Sequence, residues 1–143
     1  MANQKPIGVL DSGVGGLTVL KELKKALPNE SFIYLGDSGR APYGPRPVEE
    51  ILLFTEQMID RLLESDVKAV VLACNTITVN CLPALQQKYM IPIIGMNLAA
   101  EAVNQLSEKR SVAILGTAAT IAAGKHLEAL QGVDTDLRAY PIP

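Results

Sequence analysis

Short apolar runs alternate with amphipathic stretches along the whole chain, and this alternation constrains the fold more than any other feature of the sequence. Residues 7–10 form a strand-sized apolar run that stops at Asp11-Ser12-Gly13. Leu17, Leu20, Leu23 and Leu27 then recur at helical spacing until Pro28-Asn29 ends the pattern. Residues 32–35 read as a second strand, followed by a loop over 40–46 with two prolines and a glycine. Pro47 suits a first helical turn, and Glu49 and Glu50 complement the positive end of that helix. Residues 67–73 form a third strand, apolar except at Lys68. Asn75-Thr76 is expected to cap the helix that follows, and Pro83 to break or re-nucleate it. Residues 91–95 and 112–115 give two more strands, with helices over 98–106 and from Gly116-Thr117 to Leu130. Residues 137–142 fit either a strand or a linker. Five βα repeats imply an α/β fold, a parallel sheet with helices on both faces in flavodoxin- or Rossmann-type layering.

Composition removes several function classes. The 143 residues suit one compact domain, since domains cluster near ~100–150 residues. Thirteen basic against fifteen acidic residues give a net charge of −2, no steering field for nucleic acid or an anionic membrane. There is no Trp, and Phe and Tyr are scarce, so few side chains can stack on bases. The longest apolar runs, such as residues 69–74, are far shorter than the ~20 residues of a membrane span. The opening Met1-Ala2-Asn3-Gln4-Lys5 is too short and polar to begin a secretory signal. Two cysteines make no disulfide framework and point to a reducing compartment. The expectation is a cytoplasmic domain acting on a small molecule, without nucleic acid or membrane as partner.

In a parallel α/β sheet, ligands bind beyond the carboxyl ends of the strands. The residues following each predicted strand are therefore the candidates. They are Asp11 and Ser12 with the glycine-rich turn; Asp37-Ser38 and then Pro42-Tyr43-Gly44; Cys74, Asn75 and Thr76; and Gly116, Thr117 and Thr120. Each has a plain structural reading as well. Ser12, Asn75 and Thr117 can serve as helix caps, Asp11 can cap the turn over residues 13–16, and a small cysteine can simply fill a core. Cys74 stands apart because it falls at a strand-to-helix junction, where amides and the helix dipole favour a thiolate. The turn Gly13-Val14-Gly15-Gly16-Leu17-Thr18 also suggests a dinucleotide site, with Asp37 holding a ribose hydroxyl. That reading lacks the third glycine, where Thr18 stands, and places Asp11 beside a pyrophosphate. His126 has no partner at metal-ligand spacing, and Cys81 lies about 10 Å along the helix from Cys74, too far for a disulfide.

Taken together, Asp11-Ser12-Gly13-Val14-Gly15-Gly16-Leu17, Tyr34-Leu35-Gly36-Asp37, Arg40-Ala41-Pro42-Tyr43-Gly44 and Ala73-Cys74-Asn75-Thr76 resemble glutamate racemase, of the aspartate/glutamate racemase superfamily, in order and spacing. Gly116-Thr117 with Ala119-Thr120-Ile121 is similar to a later family segment. The resemblance implies a cofactor-independent, metal-free interconversion of L- and D-glutamate that supplies D-glutamate for peptidoglycan. It also implies that Cys74 is one of two acid/base cysteines, and that Asp11, Ser12, Tyr43, Gly44, Asn75 and Thr76 contact substrate. Thr117 is a further candidate. Two local departures stand out: Gly95-Met96-Asn97 replaces a Pro-Gly-containing turn, and Gly39 replaces the commoner alanine before Arg40.

The family's second cysteine lies in a Cys-Thr-His motif that is not reached by Pro143. The chain is therefore expected to form a single α/β domain over 1–143, resembling the N-terminal half of a two-domain racemase, with the second domain absent. Inversion at the α-carbon needs acid/base groups on both faces. The 143 residues alone are thus expected to be inactive, unless a homodimer supplies a second Cys74. Two alternatives stand beside this reading: a racemase for aspartate or another amino acid, and a non-catalytic domain that binds an amino acid or dicarboxylate.

Overall fold

The computed structural model describes residues 4–143, so the expectation for the opening residues Met1 to Asn3 lies outside the described part. The chain forms two compact units, one ending at Met96 and one from Asn97 to Pro143. The first contains β1 (Ile7–Asp11), α1 (Leu17–Ala26), β2 (Phe32–Gly36), α2 (Val48–Leu63), β3 (Ala69–Leu72), α3 (Asn75–Lys88) and β4 (Ile93–Ile94). Its four strands are all parallel, in the order β2-β1-β3-β4. This is the parallel α/β layering that the alternation predicts.

Alternate residues of β1 serve the two faces of the sheet, as a pleated strand requires. Val9, with Val71 and Ala73 of the β3 segment, packs against Val19, Leu20 and Leu23 of α1. On the other face α2 lies so close that a Cβ on Gly8 would stand 2.9 Å from Leu62 Cδ1. Ile51, Met58, Ile59 and Leu62 are the buried apolar residues of α2. The α1 stripe is only half covered: Leu20 and Leu23 pack on the sheet, whereas Leu17 and Leu27 are exposed.

Two expectations for this unit need correction. Helix α3 runs unbroken past Pro83, which sits on its exposed side. The cost of a missing donor and a clash with the preceding turn is absorbed by an otherwise continuous ladder. β4 is also shorter than the apolar run 91–95 suggests, because only Ile93 and Ile94 pair with β3.

The second unit holds α4 (Ala100–Leu106), β5 (Ser111–Leu115), α5 (Ala118–Ala122), α6 (Lys125–Val133) and β6 (Arg138–Ile142). Here β5 pairs in parallel with β6 as a two-stranded sheet, so the fifth repeat does not extend the four-stranded one. The segment that fitted strand or linker is thus a strand, and Pro141, which lacks an N–H, is accommodated within it. The helix expected from 116 to 130 is two helices, divided at Gly124, whose φ of 68° an L side chain adopts only with strain. Ala100, Ile114, Leu130 and Leu137 form the core of this unit. Among the described residues, no helix is long and apolar enough to cross a membrane.

The start of α1 is packed as closely as β1 and α2. A Cβ on Gly16 would stand 2.7 Å from Asp11 Cβ and 2.8 Å from Ala73 Cβ. Gly16→Ala is therefore expected to cost about 1–3 kcal/mol in urea unfolding, as overpacking does. Gly39→Ala, where nothing lies within 4 Å of the added carbon, should leave the midpoint unchanged.

Candidate active site

The strand order places a switch point between β1 and β3: the chain leaves β1 towards β2 on one side and returns to β3 on the other. Such points open a crevice at the carboxyl ends of the strands. At this point stand Asp11-Ser12 after β1 and Ala73-Cys74 after β3, with Asp11, Ala73 and Cys74 buried. The backbone ties the two ends together, with Ala73 N–H donating to Leu10 O at 2.8 Å.

Asp11 is buried, and its Oδ2 accepts from the N–H groups of Gly13 and Gly16 at 3.1 Å each. Two amide donors satisfy a carboxylate that would otherwise be costly to bury. The turn is therefore wrapped around an acid of its own. These amides would have to hold a pyrophosphate in a dinucleotide site, so the arrangement opposes that reading. Asp37 opposes it as well, because its Oδ2 accepts from Arg40 Nε and from the Tyr43 hydroxyl, each at 2.5 Å, rather than facing outward for a ribose.

The turn presents Ser12 to Cys74: Oγ and Sγ lie 3.4 Å apart, and either atom can be the donor. Cys74, not Asn75, occupies the N-cap position of α3, with φ −118° and ψ 122° and no side-chain cap. The capping expectation for Asn75-Thr76 is corrected accordingly, and Ser12 is not a cap either. The first intrahelical bond of α3 runs from Thr78 N–H to Cys74 O at 2.9 Å. Asn75 is exposed and Thr76 buried in the first turn, where N–H groups lie outside the helical ladder and favour an anion.

Tyr43 and Gly44 are both buried. The Tyr43 ring tilts against Phe54 at 5.8 Å, and its hydroxyl donates to Asp37 and lies 3.6 Å from Met58 Sδ. Burial, Asp37 and the proximity of Cys74 all push this phenol well above its usual range, so it stays a donor. The Pro42-Tyr43-Gly44 segment is held from outside by Arg46, whose Nε and Nη2 donate to Pro42 O and Arg40 O. Arg40 stacks over the Phe54 ring at 4.2 Å. Thr117 belongs to the second unit, where its Oγ1 accepts from Thr120 N–H and caps α5, as one of its two readings anticipates.

Sequence reasoning missed Tyr34. Its hydroxyl donates to Gly13 O at 3.0 Å and lies 3.5 Å from Asp11 Oδ2. A strand tyrosine usually reads as sheet surface, and only the β1–β2 register brings its ring beside the turn. Cys81 is fully buried, as a structural thiol should be, and burial with the proximity of Cys74 and Glu56 raises it to about 12.

The family model for Asp/Glu/hydantoin racemases matches residues 7–138. A glutamate racemase of Shouchella clausii is 48% identical over 93% of this chain and 49% of its own length. The crystal structure of glutamate racemase isoform RacE1 from Bacillus anthracis superposes with a TM-score of 0.87 at 42% identity, over 98% of this chain and 53% of that one. The Francisella tularensis glutamate racemase solved in complex with D-glutamate gives 0.83 at 35% identity, over 96% and 52% of the two chains. The chain thus spans about half the length of the curated relatives it matches.

The two thiols should differ sharply in reactivity. A thiol raised to about 12 is thiolate at pH 8 in only about one molecule in 10,000. Iodoacetamide on the folded chain should therefore label Cys74 at least about tenfold faster than Cys81 by peptide mass mapping. Equal labelling of the native protein would contradict the site as described.

Proposed function

The chain belongs to the Asp/Glu/hydantoin racemase family, and from that premise we propose that it supplies one half of a two-thiol glutamate racemase site. Residues 1–143 correspond to the N-terminal half of such an enzyme. In this reading Cys74 is the acid/base group on one face of the substrate α-carbon. It removes the α-proton as a thiolate or returns a proton as a thiol, and a second group on the opposite face does the converse. No cofactor enters the scheme, and the protein works in the cytoplasm.

The observation that carries the proposal is the contact between Ser12 Oγ and Cys74 Sγ beyond the carboxyl ends of β1 and β3. A hydroxyl beside a thiol can donate to the thiolate and hold its lone pair in one direction. The first turn of α3 supplies backbone donors and a positive dipole end for a substrate carboxylate, near Asn75 and Thr76. Asp11 serves the site by ordering the turn, and its negative charge suits the substrate ammonium. Tyr43 and Gly44 contribute through their main chain, because the phenol is already engaged. The relative solved with D-glutamate supports glutamate as the substrate.

Both thiols are buried, but Cys81 is fully so and stays protonated, which leaves Cys74 as the acid/base group of this reading. By calorimetry the chain is expected to bind glutamate, and Cys74→Ala to leave that binding within about threefold. Conversion of L- to D-glutamate, followed by circular dichroism, should be absent. Conversion by a monomeric chain, or conversion that survives Cys74→Ala, would overturn the assignment of Cys74.

A further inference from the structure

We propose that Tyr34 is a positioning residue for the Cys74 site: its hydroxyl ties the Gly13 carbonyl to β2 and so holds the turn that carries Ser12 against the thiol. The proposal rests on the reading of Cys74 as an acid/base thiol. A phenol has one proton to give. The Gly13 carbonyl at 3.0 Å is the better acceptor, and Asp11 Oδ2 at 3.5 Å is at the limit of a hydrogen bond. The same carbonyl meets β2 a second time: a Cβ on Gly36 would stand 2.3 Å from Gly13 O. β2 therefore grips the turn at two points, a donor at residue 34 and a bare backbone at residue 36. Asp11 grips it from β1 through the amides of Gly13 and Gly16. Ser12 sits between Asp11 and Gly13, the residues held by these contacts.

The Tyr34 ring packs on the Val9, Val71 and Ala73 cluster, so the hydroxyl projects from a supported position. Burial and the Asp11 charge raise the phenol to about 12, which keeps it a donor across the range where thiols react. The groups that face Cys74 electrostatically are Tyr34, Tyr43 and Cys81, with Asp11 behind Tyr34. Loss of the Tyr34 hydroxyl would free the Gly13 carbonyl and loosen Ser12, the group placed to donate to a thiolate at residue 74.

The test is the pH profile of Cys74 alkylation by iodoacetamide in the 143-residue chain, read by peptide mass mapping. Tyr34→Phe keeps the ring and removes only the hydroxyl. It should slow labelling about tenfold at neutral pH and move the profile to higher pH. Ser12→Ala should do the same, and the two changes together should be no worse than either alone, because both act through one contact. Gly36→Ala, whose added carbon would crowd both the Gly13 carbonyl and the Tyr34 ring, should reproduce the effect and carries the test if Tyr34→Phe fails to fold. An unchanged profile for folded Tyr34→Phe, or independent addition of the Tyr34 and Ser12 effects, would overturn the role of Tyr34 alone. A Cys74 whose labelling shows no thiolate step in the unsubstituted chain would overturn the racemase reading beneath it.

Discussion

The pairing of β1 with β3 is the constraint on which the site depends. The strands are separated in sequence by α1, β2 and α2, yet they are hydrogen-bonded neighbours in register from Ile7↔Ala69 to Leu10↔Leu72. A one-residue slip would turn every side chain of β3 to the other face. It would carry Ala73 off the surface that Gly16 packs against and move Cys74 away from Ser12. Hydrophobic matching enforces the register, because Val9, Val71 and Ala73 must share one face beneath α1. The geometry of the thiol is thus a consequence of core packing one and three residues away.

A second layer of control comes from the buried Asp11 carboxylate. Its desolvation is offset by amide donors from the turn that follows, and the same bonds shape that turn. The turn could not close without Gly16, where a side chain would collide with Asp11 and Ala73, or without Gly36, where one would collide with the Gly13 carbonyl. The glycines are thus explained by close approach between elements rather than by phosphate binding. Likewise, Asp37 organises the loop after β2 through Arg40 and Tyr43.

Much of this could be read from the residues. The alternation of Ile7–Asp11, Phe32–Gly36 and Ala69–Leu72 with leucine-rich helices specifies parallel layering, because buried strands must be apolar on both faces. The Cys74 junction was visible for the same reason. What could not be read depends on distant partners. The Asp37 carboxylate resembled a ribose ligand until the chain brought Arg40 and Tyr43 to it. Tyr34 stood only as part of a strand and of the Tyr34-Leu35-Gly36-Asp37 motif until the register brought its hydroxyl to the Gly13 carbonyl. Pro83 and Gly124 show the limit of local signals, since the helix interrupted is the one with the left-handed glycine, not the one with the proline.

In the proposed function, the strand ends at the β1/β3 switch point form one ligand site around Cys74. A titration of the isotope-labelled chain with D-glutamate, followed by amide proton–nitrogen correlation spectra, tests it directly. The largest shifts are expected on the amides of Ser12 to Gly16, Tyr43-Gly44 and Cys74 to Thr76. Shifts centred elsewhere, or a pattern that leaves Ser12 and Cys74 unmoved at saturation, would contradict it.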